Sequence, residues 1–452
     1  MRPIRPSTKL SILLKVLQKS DMKRLLLIVC VAILLFGLFT LVFVSNEHAS
    51  VFSFTKRVLC DCVDCWVNNV KLDDFLLCNQ QFAVDSVEQL MPNGTKGELE
   101  HANAFSARRE MDTLYFGESD YDFVARPPNC EVNLQKNLAN FSTTAQSCVV
   151  MERNSGRILF EKDCSKRLPM ASTTKIVTAL TVLNNCSLDD VVVIPKEACG
   201  IEGSSIYLRE GEKLTIKELL YGLILRSGND CAVALALHAA GSVEHFADLM
   251  NQTARELGCT NSNFVNPHGL HDDNHYATAE DLAIITCKAL QNKYFAEIVA
   301  TKSVKIANDG YDYPRVLVNK NKLLSNFDNA DGVKTGYTKK AGRCFVGSAT
   351  RNGMQVVVVV LNCGPMFEET AKMLDVAFAN YQNVCIAPKN KFCGVIYRNN
   401  KPTYYYCDDA FSYPVASGER LTRKITLTEQ TQTMDILLDG SVVRTIQLKA
   451  TE

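Results

Sequence analysis

Two hairpin signals bracket a helical stretch, and that arrangement constrains the fold of this chain more than any other feature. Ser147 to Met151 and Ile158 to Glu161 flank Asn154-Ser155-Gly156, while Phe345 to Thr350 and Val356 to Leu361 are joined through Arg351-Asn352-Gly353. Strand-like runs meeting at such turns read as antiparallel pairs. Between them lie helix signals. Thr215-x-x-Glu218 makes a capping box ahead of the apolar run Leu219 to Leu225. Cys231 to Ala240 is a second apolar helix stopped by Gly241, and Thr278 caps Ala279 to Leu290. Gly364-Pro365 ends the second hairpin, and Glu368 to Tyr381 reads as a closing helix. Strands at both ends of a helical middle predict an α+β fold, a sheet with an inserted helical lobe. After Pro388 the pattern changes to short alternating segments: Cys393 to Tyr397, Thr403 to Cys407, Thr422 to Thr428, then Met434 to Leu438 and Val442 to Leu448 around Asp439-Gly440. They predict a small all-β module over 388–452.

The N-terminus carries a different signal. Leu25 to Val44 contains no charged residue and is long enough to cross a hydrocarbon core of roughly 30 Å as a helix. Arg2, Arg5, Lys9, Lys15, Lys19, Lys23 and Arg24 precede it, against the single acid Asp21. The positive-inside rule makes 1–24 a cytoplasmic tail, 25–44 an uncleaved membrane anchor, and the rest extracytoplasmic. Residues 45–144 read as a stalk or linker that closes with Arg126-Pro127-Pro128. It contains Cys60-x-Cys62-x2-Cys65 and Cys78, a spacing that fits neither common zinc pairing. The 18 cysteines of the chain are compatible with disulfides in an oxidising exterior and equally with free thiols packed as small apolar groups. A formal net charge of zero gives no bulk attraction to nucleic acid, and there is no GxxxxGK[ST] loop for phosphates.

Chemistry concentrates in three short motifs. In "PMASTTKIVTAL", Ser172 stands three residues before Lys175 at a helix start. Positions i and i+3 share a helix face, so the amine can reach the hydroxyl. Unpaired N–H groups at the helix start can donate to an oxyanion. Alone, this is equally an N-cap serine ahead of a lysine. Ser227-Gly228-Asn229 lies in the turn between two apolar helices, and Lys334-Thr335-Gly336 leads into the second hairpin. An edge strand carrying Lys and Thr can hold a carboxylate, with Gly allowing close backbone approach. S-x-x-K with S-D-N and K-T-G is the combination found in penicillin-binding proteins and class A β-lactamases; here the middle element is S-G-N.

The resemblance extends beyond the motifs. "EGSSIYLREGEKLTIKELLYGLILRSGNDCAVALALHAAGS", "NPHGLH", "YATAEDLA" and "DGVKTGYTKKAGRC" resemble the serine D-alanyl-D-alanine carboxypeptidases, the low-molecular-weight penicillin-binding proteins, over about Ala145 to Tyr381. The resemblance implies a β-lactamase/transpeptidase-like domain over 145–387: an antiparallel sheet flanked by helices, an all-helical lobe, and a site between them. It implies Ser172 as the acylated nucleophile, Lys175 as its base and Ser227 as a proton relay. Asn229 orients substrate and Lys175, Lys334 and Thr335 hold the terminal carboxylate, Gly336 lies beside them, and the N–H groups of Ser172 and Tyr337 form the oxyanion hole. An ordinary lysine near pKa 10.4 is a poor base at neutral pH, so burial and the nearby cation Lys334 are expected to lower Lys175. The implied substrates are peptidoglycan stem peptides ending in D-Ala-D-Ala, with β-lactams as inhibitors, at a bacterial cell membrane. No cofactor or metal is implied.

Within that resemblance two points differ. The C-terminal β module is short, and the chain reaches Glu452 without a terminal amphipathic helix, a role the N-terminal span would take. The alternatives are a muropeptide endopeptidase, a β-lactamase, which needs a deacylating carboxylate that no residue here matches, and a catalytically silent penicillin-binding sensor. His268-x2-His271-x3-His275 with Asp272 and Asp273 has metal-like spacing, but its place in "NPHGLH" points to a structural loop. His238 and His245 read as packing or surface residues, and Cys231 as a buried thiol.

Overall fold

A computed structural model describes residues 113–117, 121–124, 141–398, 401–428 and 430–451. The anchor expected at 25–44 and the cysteines at 60, 62, 65 and 78 lie outside the described residues. Among the described residues, no helix is long and apolar enough to cross a membrane.

The centre is a five-stranded antiparallel sheet. In spatial order its strands are Ile158–Lys162, Ser147–Glu152, Met354–Leu361, Gly342–Arg351 and Ala330–Thr338. The valine run of Met354–Leu361 is buried on both faces because the sheet is covered on both. Val357 and Val359 belong to the core shared with the helical lobe, and Val356, Val358 and Val360 to the core under the closing helix. Successive strand residues point to opposite faces, and each fully buried valine contributes about 1.5–3 kcal/mol. Helix Met366–Asn380 covers one face through Met373, Leu374 and Ala377. Helix Ala279–Ala289 covers the other through Leu282, Ile285 and Ala289.

The helical lobe follows the sequence signals closely. Helix Ile216–Leu225 opens on the capping box, with Glu218 N donating to Thr215 Oγ1 at 3.2 Å and Thr215 N donating to Glu218 Oε2 at 2.9 Å. Helix Asn229–Ala240 ends at Gly241, which takes the left-handed conformation at φ 76 that only glycine adopts without strain. Helix Val243–Glu256, capped by Ser242, was not read from the sequence. At the S-x-x-K segment a 3-10 turn, Ala171–Thr174, precedes helix Lys175–Asn185, so Ser172 sits in a tight turn ahead of the helix proper.

The closing helix stops at Asn380 and Tyr381 turns directly into strand Tyr381–Ala387. That strand pairs with Phe411–Ala416, a strand missing from the sequence reading. The β module therefore begins at Tyr381, ahead of the boundary expected after residue 387. It contains two four-stranded sheets. One orders Thr113–Gly117, Lys391–Arg398, Lys401–Cys407 and Lys449–Thr451; the other orders Ser441–Gln447, Gln432–Leu438, Arg420–Leu427 and Tyr121–Val124. Two pieces of the expected stalk are thus edge strands of the C-terminal module, with Phe116 opposite Val395 and Phe123 opposite Leu421. The module's core gathers Ile386, Cys393, Ile396, Cys407, Val415, Leu421, Met434 and Ile436.

Arg157, in the first hairpin, fastens the five-stranded sheet to this module. Its guanidinium lies 5.2 Å from the Tyr381 ring centroid and 5.4 Å from that of Tyr413, and donates to Pro414 O at 2.6 Å and to Glu419 Oε2 at 2.8 Å. The twelve described cysteines are free thiols. Burial pushes Cys148, Cys164, Cys259, Cys287 and Cys363 up to about 12, so they remain protonated apolar groups.

Candidate active site

Three segments converge on Ser172. The first is its own turn, held in shape by Thr173 Oγ1 donating to Met170 O at 2.7 Å and Thr174 Oγ1 donating to Ala171 O at 2.8 Å. The second is the loop carrying His268 and Gly269. Gly269 has φ +87, and a Cβ there would stand 2.0 Å from Ala171 O, so the loop can press onto the turn only with glycine at this point. The third is the K-T-G strand, Ala330–Thr338, at the edge of the sheet.

Lys175 is fully buried, and its Nζ donates to Ser172 Oγ at 3.0 Å, Asn229 Oδ1 at 2.7 Å and His268 O at 2.5 Å. None of these partners is a carboxylate. Burial is the main cause pushing the ammonium down to about 7, and Lys320 adds repulsion, while Cys231 and Asp230 oppose the shift. The donor set also explains what the neutral amine can do. Two N–H groups suffice for His268 O and Asn229 Oδ1, which leaves the lone pair directed at the Ser172 hydroxyl.

The repulsion expected between Lys334 and Lys175 is present, falling on Lys334, and Lys320 adds a second cation that the motifs missed. Lys334 is itself buried, donates to Thr335 O at 2.7 Å, and is held well below its ordinary value by burial, then by Lys175 and Lys320. Lys320 reaches the site from the loop before Leu323 and donates to Ser204 Oγ at 2.8 Å. A lone lysine in a loop has no motif to mark it.

Asn229 begins its helix. Its N–H donates to Ser204 O at 2.7 Å and its Nδ2 to Glu202 O at 2.5 Å, which leaves Oδ1 aimed at Lys175. Asp230 next to it accepts from Ser205 Oγ at 2.6 Å, Ile206 N at 3.0 Å and Leu208 N at 3.1 Å, tying the 204–208 loop to the same helix start. Ser227 is 4% exposed and adopts φ 62, a left-handed conformation that costs a non-glycine residue about 1–3 kcal/mol and clusters at functional sites. It stands one residue from the helix that begins at Asn229; no hydrogen bond joins it to Lys175 among the described residues. Thr335 is half-buried, Gly336 packs against the Ser172 turn, and Tyr337 is exposed.

His275 is committed to packing. His275 is buried; its Nδ1 accepts from Val265 N at 3.1 Å and its Nε2 lies 2.8 Å from Thr174 Oγ1. Because Nδ1 accepts, Nε2 carries the proton and donates to Thr174, whose hydroxyl in turn donates to Ala171 O. Burial holds His275 down at about 4 and His268 at about 3. His268 Nδ1 accepts from Leu270 N at 3.2 Å. Protein partners thus occupy both ring nitrogens of His275, and among the described residues no His/Cys/Asp/Glu group has metal-binding geometry. His238 and His245 are exposed, and Cys231 is wholly buried.

Residues 134–364 match the family model described as D-alanyl-D-alanine carboxypeptidase. The chain is similar to D-alanyl-D-alanine carboxypeptidase DacF of Bacillus subtilis, 36% identical over 264 residues that cover 57% of this chain and 68% of the relative. Among solved structures it is similar to D-alanyl-D-alanine carboxypeptidase DacD from Francisella tularensis (TM-score 0.54, 25% identity, 74% of this chain and 96% of that one). It is also similar to the Streptomyces K15 DD-transpeptidase (TM-score 0.50, 33% identity, 53% of this chain and 98% of that one). The sheet-and-helix domain therefore has the transpeptidase/β-lactamase-like fold. On the strength of the matched residues and of these relatives, the chain belongs to the D-alanyl-D-alanine carboxypeptidase family.

Proposed function

We propose that this enzyme removes the terminal D-alanine of peptidoglycan stem pentapeptides through an acyl-serine intermediate, and that β-lactams trap the same serine. One observation carries the reading: Lys175 Nζ lies 3.0 Å from Ser172 Oγ in a fully buried setting with no carboxylate partner, at about 7. That is a base matched to neutral pH, where general-base efficiency is greatest.

In the forward step, neutral Lys175 takes the Ser172 proton as Oγ bonds to the carbonyl carbon of the penultimate D-alanine. The carbonyl oxygen becomes an oxyanion on the N–H groups of Ser172 and Tyr337. Support for that pairing comes from Gly336, which sets the strand against Ser172 N. Collapse breaks the C–N bond, and the departing amine takes a proton relayed through Ser227. Water, deprotonated by Lys175, then cleaves the ester. Lys334 and Thr335 hold the terminal carboxylate. Lys334 is short of compensating charge in its buried site, so an incoming carboxylate stabilises its ammonium form.

The placement of the enzyme belongs to the same proposal. Residues 25–44 anchor it in the cell membrane, 1–24 face the cytoplasm, and the catalytic domain, which ends at Asn380, works outside; the basic flank of the span supports this orientation. The decisive experiment incubates the full chain, as wild type and Ser172→Ala, with fluorescent penicillin and with a pentapeptide ending in D-Ala-D-Ala. Labelling and D-alanine release in the wild type, both lost in the variant, are expected. Undiminished labelling of Ser172→Ala would refute the mechanism, and labelling without D-alanine release would point to a sensor.

A further inference from the structure

Ala171, the residue before Ser172, holds a left-handed backbone at φ 50, a conformation that a residue with a Cβ keeps only when its surroundings impose it. Two groups impose it. The loop at Gly269 closes on the Ala171 carbonyl, and Thr174 Oγ1 donates to that carbonyl oxygen at 2.8 Å. Thr174 stands one residue before Lys175. A single buried hydroxyl therefore ties the residue ahead of the nucleophile to the residue ahead of its base.

That hydroxyl is oriented from outside the turn. A hydroxyl carries one proton and rotates to suit its partners; His275 removes the choice. With Nδ1 accepting from Val265 N at 3.1 Å, the ring carries its proton at Nε2, 2.8 Å from Thr174 Oγ1. Thr174 accepts that proton, which commits its own to Ala171 O. The ring is held in this pose: it is 3% exposed, meets the Phe264 ring edge to face at 5.9 Å between centroids, and its backbone N–H donates to Asp272 O at 3.0 Å. Its anchor, Val265, begins the loop whose His268 carbonyl accepts from Lys175 Nζ. One imidazole thus fixes the turn of the nucleophile against the loop that orients the base, and among the described residues it bonds to neither Ser172 nor Lys175.

We propose that His275 is a positioning residue for acylation: its Nε2–H, acting through the Thr174 hydroxyl on the Ala171 carbonyl, sets the 3.0 Å approach of Ser172 Oγ to Lys175 Nζ. The assignment rests on the functional reading above and adds to it a residue that none of the three motifs contains.

Two substitutions separate the ring nitrogens. Glutamine brings an amide N–H near the Nε2 position and still donates to Thr174, whereas the shorter asparagine reaches only the Nδ1 position and keeps the bond to Val265 N alone. The second-order rate of acylation by fluorescent penicillin is measured on the full chain, beside a thermal melt of each variant. His275→Gln is expected to stay within about 3-fold of the wild type, and His275→Asn to lose about 10-fold or more at a similar melting temperature. Thr174→Val is expected to lose as much as His275→Asn, and Thr174→Ser, which keeps the hydroxyl, to retain the rate. The double variant His275→Asn/Thr174→Val should lose no more than either single one, because the two groups act in one chain. Losses that multiply in the double variant, or His275→Gln and His275→Asn slowed alike in step with their melting temperatures, would overturn the positioning role while leaving the enzyme reading intact. A wild-type chain that penicillin does not acylate would overturn both.

Discussion

Gly336 stands against the amide of Ser172: a Cβ built on it would lie 3.0 Å from Ser172 N and 3.0 Å from Met170 O. Both neighbours are backbone, so neither can swing aside as a flexible side chain would. Gly336→Ala therefore moves the strand relative to the nucleophile by a few tenths of an ångström. Because small misplacements at a reacting centre are costly, acylation by a chromogenic β-lactam is expected to slow by about 10-fold or more. The check is the second-order acylation rate, read beside a thermal melt that shows the variant folded.

The buried base sets the pH profile. Lys175 is held at about 7, and in the proposed mechanism it is the neutral form that accepts the Ser172 proton. The acylation rate should rise with pH through an acid limb near 7 and then level off. Burial is the main cause and Lys320 adds repulsion, so Lys320→Gln removes part of what destabilises the ammonium and moves the limb to higher pH. A limb that stayed in place would mean that Lys320 acts only by holding Ser204.

Arg157 should govern the attachment of the β module without touching the chemistry. Its guanidinium is largely covered and paired with Glu419, and side-chain exposures of 13% and 22% make the pair more than a surface contact. Arg157→Ala leaves Glu419 partly buried and unpaired and removes two ring contacts, which together cost about 2–4 kcal/mol. Limited proteolysis should then cut within 381–451 sooner, while the acylation rate stays at the wild-type value. Arg157→Lys should rescue little, since an ammonium cannot reproduce the forked contacts.

His275 makes the enzyme sensitive to acid. It is neutral in the folded state and held at about 4, against 6.5 for the ordinary group. Between those values the unfolded chain binds a proton that the folded chain does not, so stability is lost as pH falls from about 6.5 to 4 and is complete above that window. The full effect of this residue is ~3 kcal/mol. Denaturant titrations from pH 7 to pH 4 on wild type and His275→Gln should show a steeper loss for the wild type.

What was legible in the sequence was what local pattern encodes. Thr215 and Glu218 announced their helix because a capping box lies within one turn, and the closeness of Ser172 and Lys175 was legible because three residues separate them at a helix start. The remainder of the site is carried by groups with no side-chain signature or no local pattern. The His268 carbonyl that orients Lys175 belongs to every residue alike. Lys320 comes from a loop whose place is set by tertiary packing. The strands at 113–117 and 121–124 read as linker because each is a few residues long, and their partners lie far along the chain.

Those two strands have a consequence for how the protein is made. Phe116 pairs with Val395, about 280 residues further along, a separation whose closure is slow compared with local contacts. A chain emerging from its amino end would present these strands long before their partners exist, and the whole catalytic unit must be threaded between the two halves of one module. The β module is therefore the last part to close. During that interval its orphaned strands are the surfaces on which newly made chains would stick to one another.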